Sequence, residues 1–273
     1  MIKKCLFPAA GYGTRFLPAT KSLPKEMLPI ITKPLIHYGV EEAMEADIRN
    51  MAIVTGRGKR ALEDYFDISY ELEHQIQGSS KEPLLKEIRH IQNSCVFTYI
   101  RQKEMRGLGD AILKGEPLIG KEPFAVILAD DLCVNDNEGV IKQMSKVYNK
   151  YQCSIVAVME VPQAEIHKYG IVKPIEQNGS IIKISDMVEK PSNKEAPSNL
   201  AIIGRYILTP DIFDILRSIK AGVNGELQIT DALKMQAKDG KVLGYKFDGI
   251  RFDCGSIEGF VKATNYMHGK LQA

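Results

Sequence analysis

The sequence predicts an α/β protein whose mixed, mostly parallel sheet is flanked by helices and carries antiparallel additions in its second half. Three observations predict it. Short apolar runs such as Phe124 to Ala129 and Cys153 to Val161 lack polar–apolar alternation, so both faces of these strands should be covered. Between such runs lie segments with apolar residues at helical spacing, as at Ile36, Val40, Ala43 and Met44. Later, Asn178-Gly179 separates two β-prone runs, which marks a hairpin. Strands alternating with helices in this way form a Rossmann-like layer structure.

The elements follow in order. Ile2 to Phe7 reads as a first strand running into a Gly-rich turn, and Pro34 opens a helix reaching Arg49, since proline suits the first turn. Met51 to Thr55 is a strand stopped by Gly56. Lys59 to Asn93 is charged and helix-prone with no strand, an insertion (59–93) expected to lie over the sheet and to offer an oligomer contact. Strands at Cys95 to Ile100 and Pro123 to Ala129 flank a helix around Ala111 to Leu118. Glu138 to Tyr151 is amphipathic helix, and Ile171 to Ile175 and Ile181 to Val188 form the hairpin arms. Lys241 to Phe252 is strand-like, and Ile257 to Leu271 is helical. No repeat or Pro/Ser-rich linker divides the chain, so 1–273 is expected to be one domain with lobes of about 1–135 and 136–273.

Composition narrows the function. The 273 residues carry 36 Lys+Arg against 34 Asp+Glu, and a net +2 gives no bulk field for nucleic acid or an anionic membrane. The apolar runs fall far short of the roughly 20 residues a membrane helix needs. The 5 cysteines are widely spaced with no C-x-x-C pair, and the histidines show no zinc spacing, so a reduced, cytoplasmic protein is expected.

The turn after the first strand reads Pro8-Ala9-Ala10-Gly11-Tyr12-Gly13-Thr14-Arg15. Small residues there let main-chain N–H groups approach an anion, although the same glycines also fit an ordinary tight turn. A dinucleotide fingerprint would need glycine at Phe16, and no Walker A pattern occurs in the chain. Arg15, Lys21, Lys25 and Lys33 follow in a loop stiffened by Pro18, Pro24, Pro29 and Pro34. A rigid basic loop beside a nest of N–H groups points to several phosphates. Asp130 and Asp131 end a buried strand, where open α/β sheets bind ligands, and Asp253 ends another strand-like segment. One carboxylate from each of two strands suits Mg²⁺, with phosphate oxygens and water completing the shell.

Read from Gly11 to Met27, G-x-G-T-R-F-x-P-x-T-K-x-x-P-K-E-M resembles the signature of the sugar-nucleotide pyrophosphorylases. The wording FLPATKSLPKEMLPI is similar to that of the bacterial uridylyltransferases of the family. The likeness continues through Arg101-Gln102, Gly107 to Ala111, Pro123 to Asp131, Tyr169 to Val172, Val188 to Pro191, Ala196 to Phe213, Gly225 to Asp231 and Phe252 to Gly255. It spans almost the whole chain in consistent order.

The resemblance implies a nucleotide-diphospho-sugar transferase fold and a Mg²⁺-dependent reaction of UTP with glucose 1-phosphate, giving UDP-glucose and pyrophosphate. It further implies that Asp130 and Asp253 hold the metal, that Arg15 and Lys25 hold the leaving phosphates, and that Lys190 grips the sugar phosphate. Ala9, Ala10, Gly11, Gly13 and Thr14 would line the nucleotide, with Glu26, Gln102 and Gly107 at or around uracil. A glutamine amide, both donor and acceptor, suits a pyrimidine imide edge. Gly170, Glu189 and the backbone near Ile202 would meet the sugar, and Asp131 would reach the sugar or the ribose. Thr230 or Asp231 reads as a helix cap. A homodimer or homotetramer is also implied. The rival readings are a pyrophosphorylase using dTTP or another sugar, and a non-catalytic regulatory relative, which would be free to lose the basic loop or the metal acids.

Overall fold

Alternate side chains of the central strands feed two separate hydrophobic cores, and this places helices on both faces of one sheet. The computed structural model describes residues 1–222 and 225–272. In chain order, β1 (Lys4–Pro8) leads through the short strands β2 (Pro29–Ile30) and β3 (Lys33–Pro34) into α1 (Leu35–Glu45) and β4 (Asn50–Thr55). Helices α2 (Arg60–Phe66), α3 (Tyr70–Ile76) and α4 (Lys86–Ser94) precede β5 (Val96–Arg101). Next come α5 (Leu108–Lys114), α6 (Glu116–Ile119), β6 (Phe124–Ile127), β7 (Asp131–Val134) and α7 (Val140–Tyr151). The chain continues with β8 (Ser154–Glu160), β9 (Gly170–Asn178), β10 (Ile181–Glu189), β11 (Leu200–Leu208) and α8 (Ile212–Ser218). It ends with α9 (Ile229–Lys238), β12 (Val242–Lys246), β13 (Ile250–Asp253) and α10 (Ile257–Gln272).

The main sheet has 9 strands in the order β5-β4-β1-β6-β11-β8-β12-β10-β9. Cys5, Phe7, Met51, Ile53, Ala125 and Ile127 point into one core with Ile36, Val40 and Met144 of α1 and α7. Their sequence neighbours Leu6, Ala52, Val54, Phe124 and Val126 enter the other, against Ile112, Phe213 and Leu233 of α5, α8 and α9. A period of two on the strands thus meets a period near 3.6 on the helices. No described helix is long and apolar enough to cross a membrane.

Two features differ from the sequence expectation. The antiparallel strands are not confined to the hairpin: β11 runs antiparallel to both β6 and β8 in the middle of the sheet. A strand as uniformly apolar as LAIIGRYIL carries no direction in its pattern, because hydrophobicity reports burial and not polarity of the chain. Lys241 to Phe252 is also not one strand. It splits into β12, in the main sheet, and β13, which pairs with β7 as a separate antiparallel ribbon. That ribbon sets Asp253 directly opposite Asp131. The segment 59–93 lies within the crossover between the parallel neighbours β4 and β5, and its Leu62, Phe66 and Ile91 are buried in the core.

Candidate active site

Two cavities open beyond the carboxyl ends of β1, β5 and β6. One is lined by Arg15, Gly170, Ile202, Thr230, Arg251 and Asp253, the other by Gly11, Gly13, Thr14, Lys25, Gln102, Gly107 and Lys190. Asp130 and Glu189 line both. The two therefore form one cleft, with Asp130 at the junction, where ligands of open α/β sheets bind.

Charge is concentrated at that junction. Lys25, in a short turn entered through Pro24, places Nζ 2.5 Å from Asp130 Oδ2. Arg15 Nη1 donates to Gly255 O at 3.3 Å. Gly255 shows how tightly the groups converge: a Cβ there would lie 2.9 Å from Asp130 Oδ2, 3.1 Å from Asp253 Oδ1 and 3.5 Å from Arg15 Nη1. Burial would raise the Asp130 carboxyl, but Lys25 and then Arg15 hold it below the usual value. Asp253 lies above its usual value. Burial raises it and the Asp131 and Asp130 charges add, against the opposing pull of Arg251.

The cavity lined by Gly170 and Ile202 gives Asp131 protein partners and brings in residues that the sequence did not single out. Asp131 is already occupied: Oδ1 accepts from Arg251 Nε at 2.6 Å, and Oδ2 accepts from the Gly204 N–H at 2.7 Å. Both oxygens meet protein donors, so Asp131 braces Arg251 while still lining the cavity. Arg251 also donates to Tyr169 Oη at 2.8 Å, and its guanidinium lies over that ring. Its signal was present: residues two apart on a strand share a face, so Asp253 brings Arg251 with it.

Glu189 stands opposite Gly170 in the hairpin register, and Thr230 donates to Glu189 Oε2 at 2.7 Å. Thr230 is thus a wall of the site, not only part of a helix opening. A Cβ on Gly170 would lie 2.8 Å from Thr230 Oγ1 and 3.1 Å from Glu189 Oε2, so glycine keeps this corner open. Lys190 follows in a left-handed conformation, φ 45°, with its exposed Nζ 3.6 Å from Glu189 Oε1.

In the other cavity Ala10, Gly11 and Gly107 line the wall. Ala9 does not, because it is fully buried and its N–H is spent on Val54 O at 2.8 Å. Glu26 is also withdrawn: it is 1% exposed and accepts from Lys59 Nζ at 2.6 Å. Burial raises the Glu26 carboxyl and lowers the Lys59 amine, each partly offset by the other's charge. No local signal could have found this pair, since Lys59 comes from the opposite end of the α1–β4 unit. Gln102 lies in the wall, but its Nε2 donates to Asp110 Oδ2 at 2.7 Å and to Gly107 O at 3.3 Å. Its donor side is therefore taken, and only the amide oxygen is left to face the cleft.

The loop lysines divide. Lys25 enters the cleft, whereas among the described residues Lys21 lines neither cavity. Lys33 turns away to bridge Glu41 at 3.0 Å and Glu87 at 2.9 Å. His37 joins those two acids in a cluster whose ligand atoms lie within 4.8 Å of one another, and the Lys33 ammonium supplies its positive charge.

Comparison with known proteins covers the whole of this architecture. The nucleotidyl transferase family model matches residues 6–269. A UTP–glucose-1-phosphate uridylyltransferase of Pseudomonas aeruginosa is 63% identical over 272 residues, 99% of this chain and 98% of that relative. One from Staphylococcus haemolyticus is 50% identical, covering 96% and 91%. A solved UDP-glucose pyrophosphorylase complexed with UDP-glucose superposes with a TM-score of 0.93 at 61% identity, covering 99% of this chain and 100% of that one. A UTP-bound enzyme from Acinetobacter baumannii gives 0.89 at 38% identity, covering 98% and 93%.

Proposed function

The chain belongs to the nucleotidyl transferase family, and on that premise we propose that it transfers the uridylyl group of UTP to glucose 1-phosphate, releasing UDP-glucose and pyrophosphate. One observation carries the reading: Lys25, Arg15, Asp130 and Asp253 meet where the cavity walled by Gln102 joins the one walled by Gly170 and Thr230. A uridine at one end and a hexose at the other would bring their phosphates together there.

In the reaction a phosphate oxygen of the sugar attacks the α-phosphorus of UTP in line. A new P–O bond forms and the bond to the β-phosphate oxygen breaks. The nucleophile is already an anion at neutral pH, so no side chain need take a proton from it. Repulsion is the obstacle. Two unit charges about 4 Å apart repel by roughly 1 kcal/mol in water and about 4 kcal/mol at an effective dielectric of 20. Lys25 and Arg15 hold the leaving β- and γ-phosphates, and Lys190, exposed at the cleft mouth, positions the sugar phosphate. Glu189, oriented by Thr230, accepts from sugar hydroxyls, while Gly170 and Ile202 shape the pocket.

The junction fits Mg²⁺. Asp131 is neutralised by Arg251, which leaves Asp130 and Asp253, hard oxygen donors from two segments, facing one small space beside Gly255. When bound, the cation would draw negative charge from the phosphate oxygens. Lys25 would then shift its ammonium from Asp130 toward the triphosphate.

The lobes follow as about 1–135 for the nucleotide and 136–273 for the sugar. We also propose a cytoplasmic homodimer or homotetramer. Five unpaired cysteines support the compartment, and light scattering tests the assembly. The deciding assay is UDP-glucose formation from UTP and glucose 1-phosphate with and without Mg²⁺. Rapid, Mg²⁺-dependent product is expected, and its absence with correctly folded protein would overturn the reading.

A further inference from the structure

Gln102 is held in one orientation by a residue behind it. Its Nε2 carries two hydrogens, and two acceptors take them: Asp110 Oδ2 at 2.7 Å and Gly107 O at 3.3 Å. Among the described residues no donor meets its Oε1, and the side chain forms part of the cleft wall beside Gly11 and Gly107. Gln102 is 4% exposed and Asp110 is 7% exposed, so neither has room to turn into solvent. An ionised carboxylate only accepts. Turning the amide over would set Oε1 against Asp110 Oδ2 and leave two oxygens in contact. Lys114 Nζ lies 3.9 Å from Asp110 Oδ1. Asp110 itself is fixed in the first turn of α5, where the Gly109 N–H is tied to Leu227 O at 2.8 Å.

Building on the uridylyl reading above, we infer that Asp110 is a positioning residue that makes Gln102 an acceptor only, so that the cleft selects a base with an N–H at ring position 3 and rejects cytosine. Uracil and thymine both donate from N3. Cytosine presents a lone pair there, which would face Oε1 with no hydrogen between them. The aspartate touches no substrate; it acts by removing the amide's freedom to serve either base.

The test is a pair of variants assayed with UTP and with CTP. Asp110→Asn keeps the shape, but its own amide can accept or donate, which frees Gln102 to turn over. Asp110→Ser, which leaves space instead of filling it, is the second variant should the first fold poorly. The wild type is expected to favour UTP strongly. Each variant should narrow the UTP-to-CTP ratio of kcat/KM by about tenfold to a hundredfold, the range for one mismatched buried hydrogen bond. The KM for glucose 1-phosphate should stay within twofold or so, because the sugar side is untouched. A merely structural role would lower both nucleotides together and leave the ratio unchanged, and that result would overturn the inference alone. A wild-type protein with no preference for UTP over CTP would overturn the uridylyl reading and this inference with it.

Discussion

Lys25 and Asp130, 105 residues apart in the chain, meet at 2.5 Å in the cleft. Burial pulls the Lys25 amine down, but Asp130 and Glu26 outweigh it and hold it above its ordinary value. The two opposite charges thus keep each other ionised. In the proposed reaction the pair would open, Lys25 turning its ammonium to the triphosphate and Asp130 being left as a carboxylate that could hold a metal.

Asp130→Asn should therefore abolish Mg²⁺-dependent turnover without unfolding the protein. The expected loss in kcat is on the order of 10²–10³-fold or more, the scale for removing one preorganised electrostatic group. Pyrophosphate release across a Mg²⁺ titration, beside a thermal melt, measures it. Persistent activity would remove Asp130 from the metal site.

Lys190→Ala should act on the sugar phosphate. A charged hydrogen bond lost at the cleft mouth predicts a rise of about tenfold to a hundredfold in KM for glucose 1-phosphate. UTP affinity, measured by calorimetry, should hardly change. Equal damage to both substrates would contradict the assigned role.

Thr230→Val removes the hydroxyl that orients Glu189 at 2.7 Å and keeps the volume. About a three- to tenfold loss in kcat/KM for glucose 1-phosphate is expected, smaller than for Glu189→Gln, which alters the sugar contact itself. If Thr230→Val is silent while Glu189→Gln is not, Glu189 needs no such brace.

The Glu26–Lys59 pair is a stability element. Lys59→Met leaves Glu26 buried without its partner and should cost about 3–5 kcal/mol in urea denaturation. Adding Glu26→Gln should recover much of it by removing the orphaned charge. The pH dependence has a definite sign. Burial holds the Glu26 carboxyl above its ordinary value, so the stability it contributes is complete below its unfolded pKa and lost as pH rises through the folded one. Without Lys59 that folded value climbs further. The deficit of the Lys59→Met protein should then shrink on acidification from neutral pH toward the ordinary carboxylate range. A deficit independent of pH would mean that lost packing, not charge, is responsible.

What the sequence determined by itself was largely what near neighbours govern. The buried strands, the Asn178-Gly179 hairpin and the acids at the end of β6 follow from hydrophobic period and turn chemistry, which operate over a few residues. Motif order along the chain was enough to bring Arg15, Lys25, Asp130, Glu189, Lys190 and Asp253 into one expected site, and all of them line the cleft. What each polar group does with its lone pairs and protons was decided only in three dimensions. Glu26 was claimed by Lys59 33 residues away, Asp131 by Arg251 120 residues away, and the donor side of Gln102 by Asp110 on the next helix. A buried polar group must find a partner wherever packing supplies one. Packing is settled by the whole chain, so no local pattern could say which acids remain free for substrate and which are spent on the fold.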